Sequence, residues 1–291
     1  MRDFTLNQYI ILLKSLSKHG FEIQTYREFL KSSENKVAIL RHDVDRYPVN
    51  ALKMAELEHG MNIRATYYFR SVFSVFKPEI IKKINDLGHE VGYHYEDVSL
   101  AAHRLNGVKT QRDNGITEKE VGGKECIVGS KKYKEEKHEK YLAGIAIEYF
   151  RKNLEKLRKI VPVTTICMHG SPMSQWDSRL LWKYYDYKDF GIIGEPYCDT
   201  NFNEVFYITD TGRKWNNTSI SIRDKVNSDF NISIKSTENI IAFIERDLLP
   251  PKVMINIHPH RWFDFGFYWY KELLLQSLKN LVKAVIIMTK R

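Results

Sequence analysis

Short apolar runs alternate with longer amphipathic segments along most of the 291-residue chain. A run of four to eight apolar residues bounded by loop signals is typical of a buried strand, whereas apolar residues that recur every three or four positions predict a helix. Strands that alternate with helices pair in parallel through right-handed crossovers. The pattern therefore predicts an α/β fold, an irregular (β/α) barrel of about seven parallel strands.

The predicted elements follow one another along the whole sequence. The runs predicted as strands are VAIL, IRATYYFR, HEVGYHY, VTTICMH, FGIIGE, VFYIT, VMINIH and VIIMT. The segments predicted as helices lie near residues 49–59, 78–88, 141–159, 178–185, 237–248 and 268–283, and residues 1–35 are predicted to hold N-terminal helices. Because no low-complexity segment divides the chain, we expect a single barrel domain over residues 1–291.

One polar stretch, residues 104–140, interrupts this alternation. It contains ten Lys or Arg and seven Asp or Glu residues but few large apolar ones. Such a composition cannot bury much apolar surface, which favours a mobile surface insertion. Because the stretch lies close after the polar residues that end HEVGYHY, a lid over a functional site is the alternative interpretation.

The net charge of +9 would suit an anionic partner such as nucleic acid, a membrane surface or an acidic glycan. The lysines are spread over predicted helical faces, however, and no RNA-binding motif occurs, so ordinary surface composition is favoured and no nucleic-acid partner is expected. The N-terminal segment is too short and polar for a signal peptide or membrane span, and the three cysteines form no disulfide-like pattern. We therefore expect a cytoplasmic protein without a transmembrane segment.

Ionisable side chains follow four of the strand-like runs. They are Arg41, His42, Asp43 and Asp45 after the first run, His94, Glu96 and Asp97 after the third, His169 after the fourth, and His258, His260 and Arg261 after VMINI. Polar residues are costly to bury, and the carboxyl ends of parallel strands open onto one common cleft. Their recurrence after separate strands predicts a metal site at that cleft.

Asp43 and Asp45 are two residues apart, so on a regular strand they point to the same side and their charges repel. A divalent cation bound by one carboxylate relieves this repulsion and leaves the other free to accept a proton. Zinc is the favoured metal because it takes imidazole and carboxylate ligands, and iron, cobalt and nickel are alternatives. Asp45, His94 and one further residue would form such a site, with His258 as a general acid.

The segments RHDVD, GHEVGYH and INIHPHRW resemble motifs of the polysaccharide deacetylases of the NodB homology type, and the resemblance spans roughly residues 37–262. That family consists of metal-dependent deacetylases built on a distorted (β/α) barrel. The resemblance implies that Asp43 is the catalytic base, that Asp45 and His94 bind the metal, and that His258 protonates the leaving amine.

The chain departs from the family pattern at two places. The family's second metal-binding histidine lies four residues after the first, and here that position is Val98. A bound metal then needs a replacement ligand, for which His169 is preferred and Glu96 is the alternative. The family's arginine-containing third motif is missing from CMHGSP. The chain therefore resembles a divergent branch marked by LRHDVD, MHGSP, TDTGR and HPHRW.

Other polar and aromatic residues near these motifs are candidates for supporting roles. Arg41, Asp210, Arg213, His260 and Arg261 are expected to orient a catalytic carboxylate or imidazole, or to contact the substrate. Trp176, Trp215 and Trp262 are candidates for stacking on sugar rings.

The resemblance implies hydrolysis of the acetamido group of a sugar, a glycan, or a nucleotide-linked or lipid-linked sugar precursor, in surface polysaccharide metabolism. Loss of the second histidine at Val98 leaves open a catalytically degenerate barrel that binds a glycan or protein partner. Metal-dependent hydrolysis of another amide or of a phosphodiester is a further alternative, and the basic charge would suit the phosphodiester.

Overall fold

Seven parallel strands form one curled sheet, and helices pack around its outer side. The computed structural model describes residues 2–31, 35–113, 131–170, 174–216 and 226–289. The strands are β1 (Glu22–Gln24), β2 (Val37–Val44), β3 (Thr66–Phe69), β4 (Glu90–Tyr95), β5 (Ile166–Met168), β6 (Phe206–Thr209) and β7 (Lys252–Ile257). The α-helices are α1 (Leu6–Lys18), α2 (Tyr26–Phe29), α3 (Pro48–Gly60), α4 (Pro78–Asp86), α5 (Asp97–Asp113), α6 (Lys131–Arg158), α7 (Pro196–Asp199), α8 (Thr237–Glu245) and α9 (Phe267–Thr289). Three 3-10 helices span Ser178–Lys183, Tyr187–Phe190 and Pro259–Arg261.

The strand order is β5-β4-β3-β2-β7-β6, so β5 and β6 are the two edges of an open half-barrel. The short β1 pairs with the first half of β2, where Glu22 is opposite Val37, and β3 pairs with its second half, where Arg41 is opposite Thr66. On its other side β2 pairs with β7 from Val37 to His42. The predicted irregular barrel of about seven parallel strands is confirmed.

The two faces of the sheet are buried in different surroundings. Leu40 and Val44 of β2 belong to the large apolar cluster that the sheet shares with the helices, whereas Ile39 packs with Tyr207 and Met254 in a smaller cluster inside the half-barrel. Because side chains alternate along a strand, Arg41 and Asp43 lie on the same side as Ile39. Every residue of β2 is buried, which explains why its sequence is continuous rather than alternating in apolar character.

On the outer face, the buried Glu58 of α3 ties that helix to the sheet. Its carboxylate accepts hydrogen bonds from the hydroxyls of Tyr9 and Tyr67 and lies 2.7 Å from Nε2 of His42. Burial alone would raise the pKa of Glu58, but His42 beside it outweighs burial and lowers that pKa. His42 therefore takes part in a structural cluster outside the half-barrel.

Five segments differ from the sequence prediction. The first residue of FGIIGE, Phe190, ends a 3-10 helix, and the segment forms a single bridge between Thr165 and Gly194. VIIMT lies inside α9. The predicted helix near 178–185 is a 3-10 helix, and the residues between α1 and α2 include β1. In the polar stretch 104–140, α5 extends to Asp113 and α6 begins at Lys131, ahead of the predicted start, while residues 114–130 lie outside the described residues. Within the described ranges, no helix is long and apolar enough to cross a membrane.

Candidate functional site

The ionisable residues singled out above meet at the carboxyl ends of the strands. Asp43 lies near the end of β2 and Asp45 just after it, His94 lies near the end of β4, and His169 follows β5. Asp210 and His258 directly follow β6 and β7. Parallel pairing brings all of these strand ends to one rim, so residues far apart in the sequence become neighbours.

Three of these residues converge on one point. Nε2 of His94 and Nε2 of His169 each lie 3.5 Å from Oδ1 of Asp45. Asp45, His94 and His169 can each offer one ligand atom, and these three atoms lie within 4.8 Å of one another. This is the trio predicted from the sequence, with His169 rather than Glu96 as its third member.

The group on the far side of each imidazole favours the tautomer in which Nε2, the nitrogen that faces Asp45, carries the lone pair. Nδ1 of His94 donates to the carbonyl oxygen of Cys167 at 3.0 Å, and a carbonyl can only accept, so Nδ1 carries the proton. Nδ1 of His169 lies 3.1 Å from Oε2 of Glu96, a carboxylate that favours the same tautomer. In the neutral imidazoles, both Nε2 atoms therefore direct lone pairs toward Asp45.

The residues present fit a divalent metal. Oδ1 of Asp45 is buried, has no hydrogen-bond partner, and faces two imidazole nitrogens that act as acceptors in these tautomers. Three acceptors directed at one point repel one another unless a cation stands between them. Two imidazole nitrogens and one carboxylate oxygen are the ligand types of an open zinc or iron site.

Asp43 is held by different partners. Arg41 donates to both of its oxygens, from Nε at 3.0 Å and from Nη2 at 2.7 Å, and Nδ2 of Asn256 donates to Oδ2 at 3.0 Å. Burial would raise the pKa of Asp43, but the buried Arg41 guanidinium lowers it well below the ordinary value. The carboxylate is thus ionised, and its oxygens are already engaged. Asp43, His94 and Cys167 form a second group with metal-ligand spacing. Because the oxygens of Asp43 already accept hydrogen bonds, this second group is the weaker candidate for a metal site.

Glu96 lies behind His169 rather than beside it at the point of convergence. Arg70 donates to its two oxygens at 2.8 and 2.7 Å, from Nε and Nη2. Burial would raise the pKa of Glu96, but His169 and Arg70 lower it to about 2. Glu96 is therefore an anion that orients the imidazole of His169.

On the other side of Asp45, His258 is fixed by Asp210. Nδ1 of His258 lies 2.6 Å from Oδ1 of Asp210, while Nε2 is 3.8 Å from Oδ2 of Asp45. Asp210 also accepts from Nη1 of Arg261 at 2.7 Å and from Nε1 of Trp262 at 2.8 Å. Burial would raise the pKa of Asp210, but Arg261 and His258 lower it to about 2. The Asp210 carboxylate thus holds Nδ1 of His258, so that Nε2 is the nitrogen that faces Asp45.

The remaining predicted residues lie at the edge of this arrangement. His260 is buried with its ring edge-on to His258, 5.8 Å between centroids, and burial together with Arg261 lowers its pKa well below the ordinary value. The side chain of Arg213 does not reach the catalytic groups: its Nη1 donates to the backbone oxygen of Trp269 in α9. Trp215 and Trp262 are 3% and 1% exposed, so the prediction that they stack on sugar rings is wrong.

Two contributors were missed by sequence reasoning. Asn256 holds Asp43, and Arg70 holds Glu96. The sequence indicates that both lie near strand ends, because Asn256 lies two residues before His258 and Arg70 ends the run IRATYYFR, but it does not indicate their partners. Val98, by contrast, is fully buried in the large apolar cluster that the sheet shares with the helices.

The sequence matches no protein-family model and no curated protein. Two solved structures are similar in fold: BA3943 of Bacillus anthracis, described as a CE4 family pseudoenzyme, and a mutant of BA3943 described as having restored enzymatic activity. Each is 11% identical with a TM-score of 0.37, and the match covers 87% of this chain and 63% or 65% of theirs. The chain therefore spans less than two thirds of the length of these proteins.

Proposed function

We propose that this protein is a metal-dependent deacetylase that hydrolyses the acetamido group of a sugar. The observation that carries the proposal is the convergence of His94 and His169 on the unpartnered Oδ1 of Asp45, with a salt-bridged carboxylate at Asp43 and an Asp210-supported imidazole at His258 nearby. This set contains a base, an acid and a metal-binding trio, which together are what amide hydrolysis requires.

Asp45, His94 and His169 would hold the metal. When bound, a divalent ion supplies Lewis-acid chemistry, because it polarises an acyl carbonyl and lowers the pKa of water. Glu96 and the carbonyl of Cys167 keep both imidazoles in the tautomer that can bind it.

Asp43 would act as the general base. The guanidinium of Arg41 keeps its carboxylate ionised and fixed in orientation, ready to accept a proton from the attacking water. The low pKa makes Asp43 a weak base, so it depends on a water whose own pKa has been lowered.

His258 would act as the general acid. Asp210 holds its Nδ1, so Nε2 is the atom that presents a proton toward the site. In the overall reaction water oxygen bonds to the acyl carbon, the carbon–nitrogen bond breaks, and His258 protonates the departing amine. The products are acetate and an amino sugar.

The sugar substrate and a role in surface polysaccharide metabolism rest on the motif resemblance of RHDVD, GHEVGYH and INIHPHRW. The rim geometry supports amide hydrolysis in general, and the acetylated sugar is the class that these motifs imply. The bound sugar, glycan or linked precursor is to be identified by substrate screening.

The test combines metal content by mass spectrometry with acetate release from N-acetylated oligosaccharides and nucleotide-linked N-acetylhexosamines. Wild type is expected to hold one metal per chain and release acetate, whereas Asp45→Asn and His169→Gln lose the metal. Asp43→Asn should retain metal and lose activity by about 10²- to 10⁴-fold, the range for a general base. His59→Gln, which alters an exposed imidazole on α3, is the matched control.

Two results would contradict the proposal. A wild-type protein that stays metal-free after reconstitution would remove the hydrolytic mechanism, and firm sugar binding without metal would then identify a non-catalytic barrel. Hydrolysis that is unaffected by Asp43→Asn would show that another group is the base.

A further inference from the structure

The C-terminal helix α9 buries its polar side against the protein and exposes its apolar side, the reverse of an ordinary surface helix. The residues that face the protein include Trp269, Glu272 and Gln276, which are 8%, 4% and 5% exposed. Polar contacts hold this side: Nδ2 of Asn280 donates to the backbone oxygen of Gly212, and Nη1 of Arg213 donates to that of Trp269. The helix is therefore docked through its polar side.

The opposite side of α9 presents large apolar residues to the surroundings. Leu274, Leu278, Leu281 and Val282 are 70%, 61%, 65% and 53% exposed, and Leu275 is 40% exposed. Their spacing of three, four and seven residues places them on one stripe of the helix. A surface helix of a globular protein normally buries such a stripe against the core, so this one is directed at something outside the fold.

The apolar surface is wider than one helix. Exposed aromatic residues surround the start of α9: Tyr47, Phe265, Phe267, Tyr268 and Tyr270. A cavity of about 390 Å³, lined by Tyr47, Trp262, Phe263, Tyr268 and Leu275 among others, joins this region to α3. A second helix would cover only the stripe on α9, whereas a lipid surface can contact the whole area.

Charge also distinguishes a membrane from a second copy of the chain. Among the residues that line the cavity, Lys53 and Lys271 are basic, Asp264 pairs with Lys53, and Glu272 is 4% exposed. Lys271 precedes Leu274, Leu275 and Leu278 by three, four and seven residues and so shares their side, and the guanidinium of Arg2 lies 4.1 Å from the ring centre of Phe265. This excess of positive charge attracts anionic phospholipids and repels an identical surface.

We propose that α9 and the aromatic residues at its start bind the surface of an anionic phospholipid membrane, with the helix axis parallel to the bilayer. Exposed leucines and aromatic rings would enter the boundary between headgroups and acyl chains, while Lys271 reaches lipid phosphates. The helix lies on the membrane rather than crossing it, because Glu272, Gln276, Lys279 and Asn280 keep its other side on the protein. The proposal goes beyond the deacetylase assignment and does not depend on it.

The test is flotation of the full-length protein with lipid vesicles, without substrate or added metal. Wild type is expected to bind vesicles of phosphatidylcholine mixed with phosphatidylglycerol, to bind pure phosphatidylcholine vesicles more weakly, and to be released by salt. Lys271→Gln should weaken partitioning about fivefold, the effect of one basic residue near an anionic surface. The combined variant Leu274→Gln, Leu278→Gln and Leu281→Gln should weaken it by at least tenfold.

Phe73→Gln is the matched control, since Phe73 is 89% exposed but lies in the loop before α4, and it should bind like wild type. Circular dichroism checks that each variant is folded. The comparison of wild-type binding to anionic and to neutral vesicles tests the proposal even if a variant fails to fold. Two results overturn the proposal. The first is equal binding to both vesicle types, or no binding to either. The second is a wild-type dimer that does not float with vesicles and becomes a monomer in the leucine variant, which would assign the surface to a second copy of the chain.

Discussion

His169 and Val98 lie in different surroundings: the ring of His169 is beside that of His94, whereas Val98 is buried in the apolar core. Val98 stands where the family pattern requires a histidine, yet it is packed in the apolar cluster between α5 and the sheet. His169 comes from the neighbouring strand β5, and its ring lies edge-on to that of His94 with 5.1 Å between centroids. An imidazole is therefore present beside His94 although position 98 carries a valine.

The pairings at the site show what could be predicted from residues alone. Period-two spacing correctly grouped Asp43 with Asp45, because strand geometry is local. Arg70 on Glu96 and Asn256 on Asp43 depend on which strands become neighbours, and strand order is a long-range property. The placement of Arg213 against Trp269 likewise depends on how α9 docks.

Asp97 provides a prediction about pH. Its buried carboxyl accepts hydrogen bonds from Tyr93 and Asn153, and burial raises its pKa to about 7. Because the folded-state pKa exceeds the unfolded value, the protonated form favours folding, and this contribution is present below about pH 4 and is lost as pH rises through about 7. At roughly 1.4 kcal/mol per pKa unit, the change amounts to a few kcal/mol.

The variant Asp97→Asn should therefore flatten the free energy of unfolding between pH 4 and pH 7 and be more stable than wild type at pH 8. Urea denaturation at several pH values measures this. Asp189→Asn, an exposed change near the end of a 3-10 helix, should leave the profile unchanged. Parallel profiles for wild type and Asp97→Asn would contradict the prediction.

Among the elements, β4 contains Gly92, and the ring of Tyr68 occupies the space that a side chain at this position would need. A Cβ at Gly92 would lie 2.3 Å from Cε1 of Tyr68 and 2.9 Å from the backbone oxygen of Thr165. Tyr68 is fully buried and its hydroxyl donates to Oγ1 of Thr165, so the ring cannot move aside. Gly92 is thus fixed by packing rather than by backbone conformation.

Gly92→Ala is expected to lower the free energy of unfolding by about 1 to 3 kcal/mol, the usual cost of overpacking. The matched control is Gly60→Ala at the end of α3, where an added Cβ meets nothing within 4 Å and should be neutral or slightly stabilising. Urea denaturation midpoints compare the two. Equal midpoints for both variants would show that β4 can shift to accommodate the methyl group.

The elements that the sequence failed to predict are those whose local pattern is ambiguous. FGIIGE has apolar residues at strand length, but Gly191 adopts a left-handed conformation with φ of 67°, so the chain turns there. The segment forms a single bridge, between Gly194 and Thr165 just before β5. VIIMT fits a strand or a helix equally, and the preceding helical turns of α9 extend through it. The strand β1 is too short and too polar to be recognised.

For the whole molecule, metal binding should be coupled to stability. The trio draws on β2, β4 and the residue after β5, so an ion bound only in the folded state stabilises the entire sheet. At a free metal concentration about 1,000 times the dissociation constant, the gain is about 4 kcal/mol. That corresponds to an increase in Tm of roughly 10 °C for a chain of this size.

Thermal unfolding with zinc and after chelation measures this difference. Asp45→Asn should abolish the shift in Tm, while His59→Gln should retain it, because His59 bonds only to the backbone of Leu87 at the surface. An equal shift in Asp45→Asn would mean that the ion stabilises the protein from another position.

The open sheet also affects how such a protein can evolve. The acid pair, Asp210 and His258, belongs to the β6–β7 side, and both imidazoles of the trio belong to the β4–β5 side, with β2 between them. Each side has its own hydrogen-bond network, so one side can be lost by mutation without unfolding the other. If the proposed deacetylase function holds, one substitution on the β6–β7 side would remove hydrolysis and leave the two imidazoles of the other side in a folded cleft.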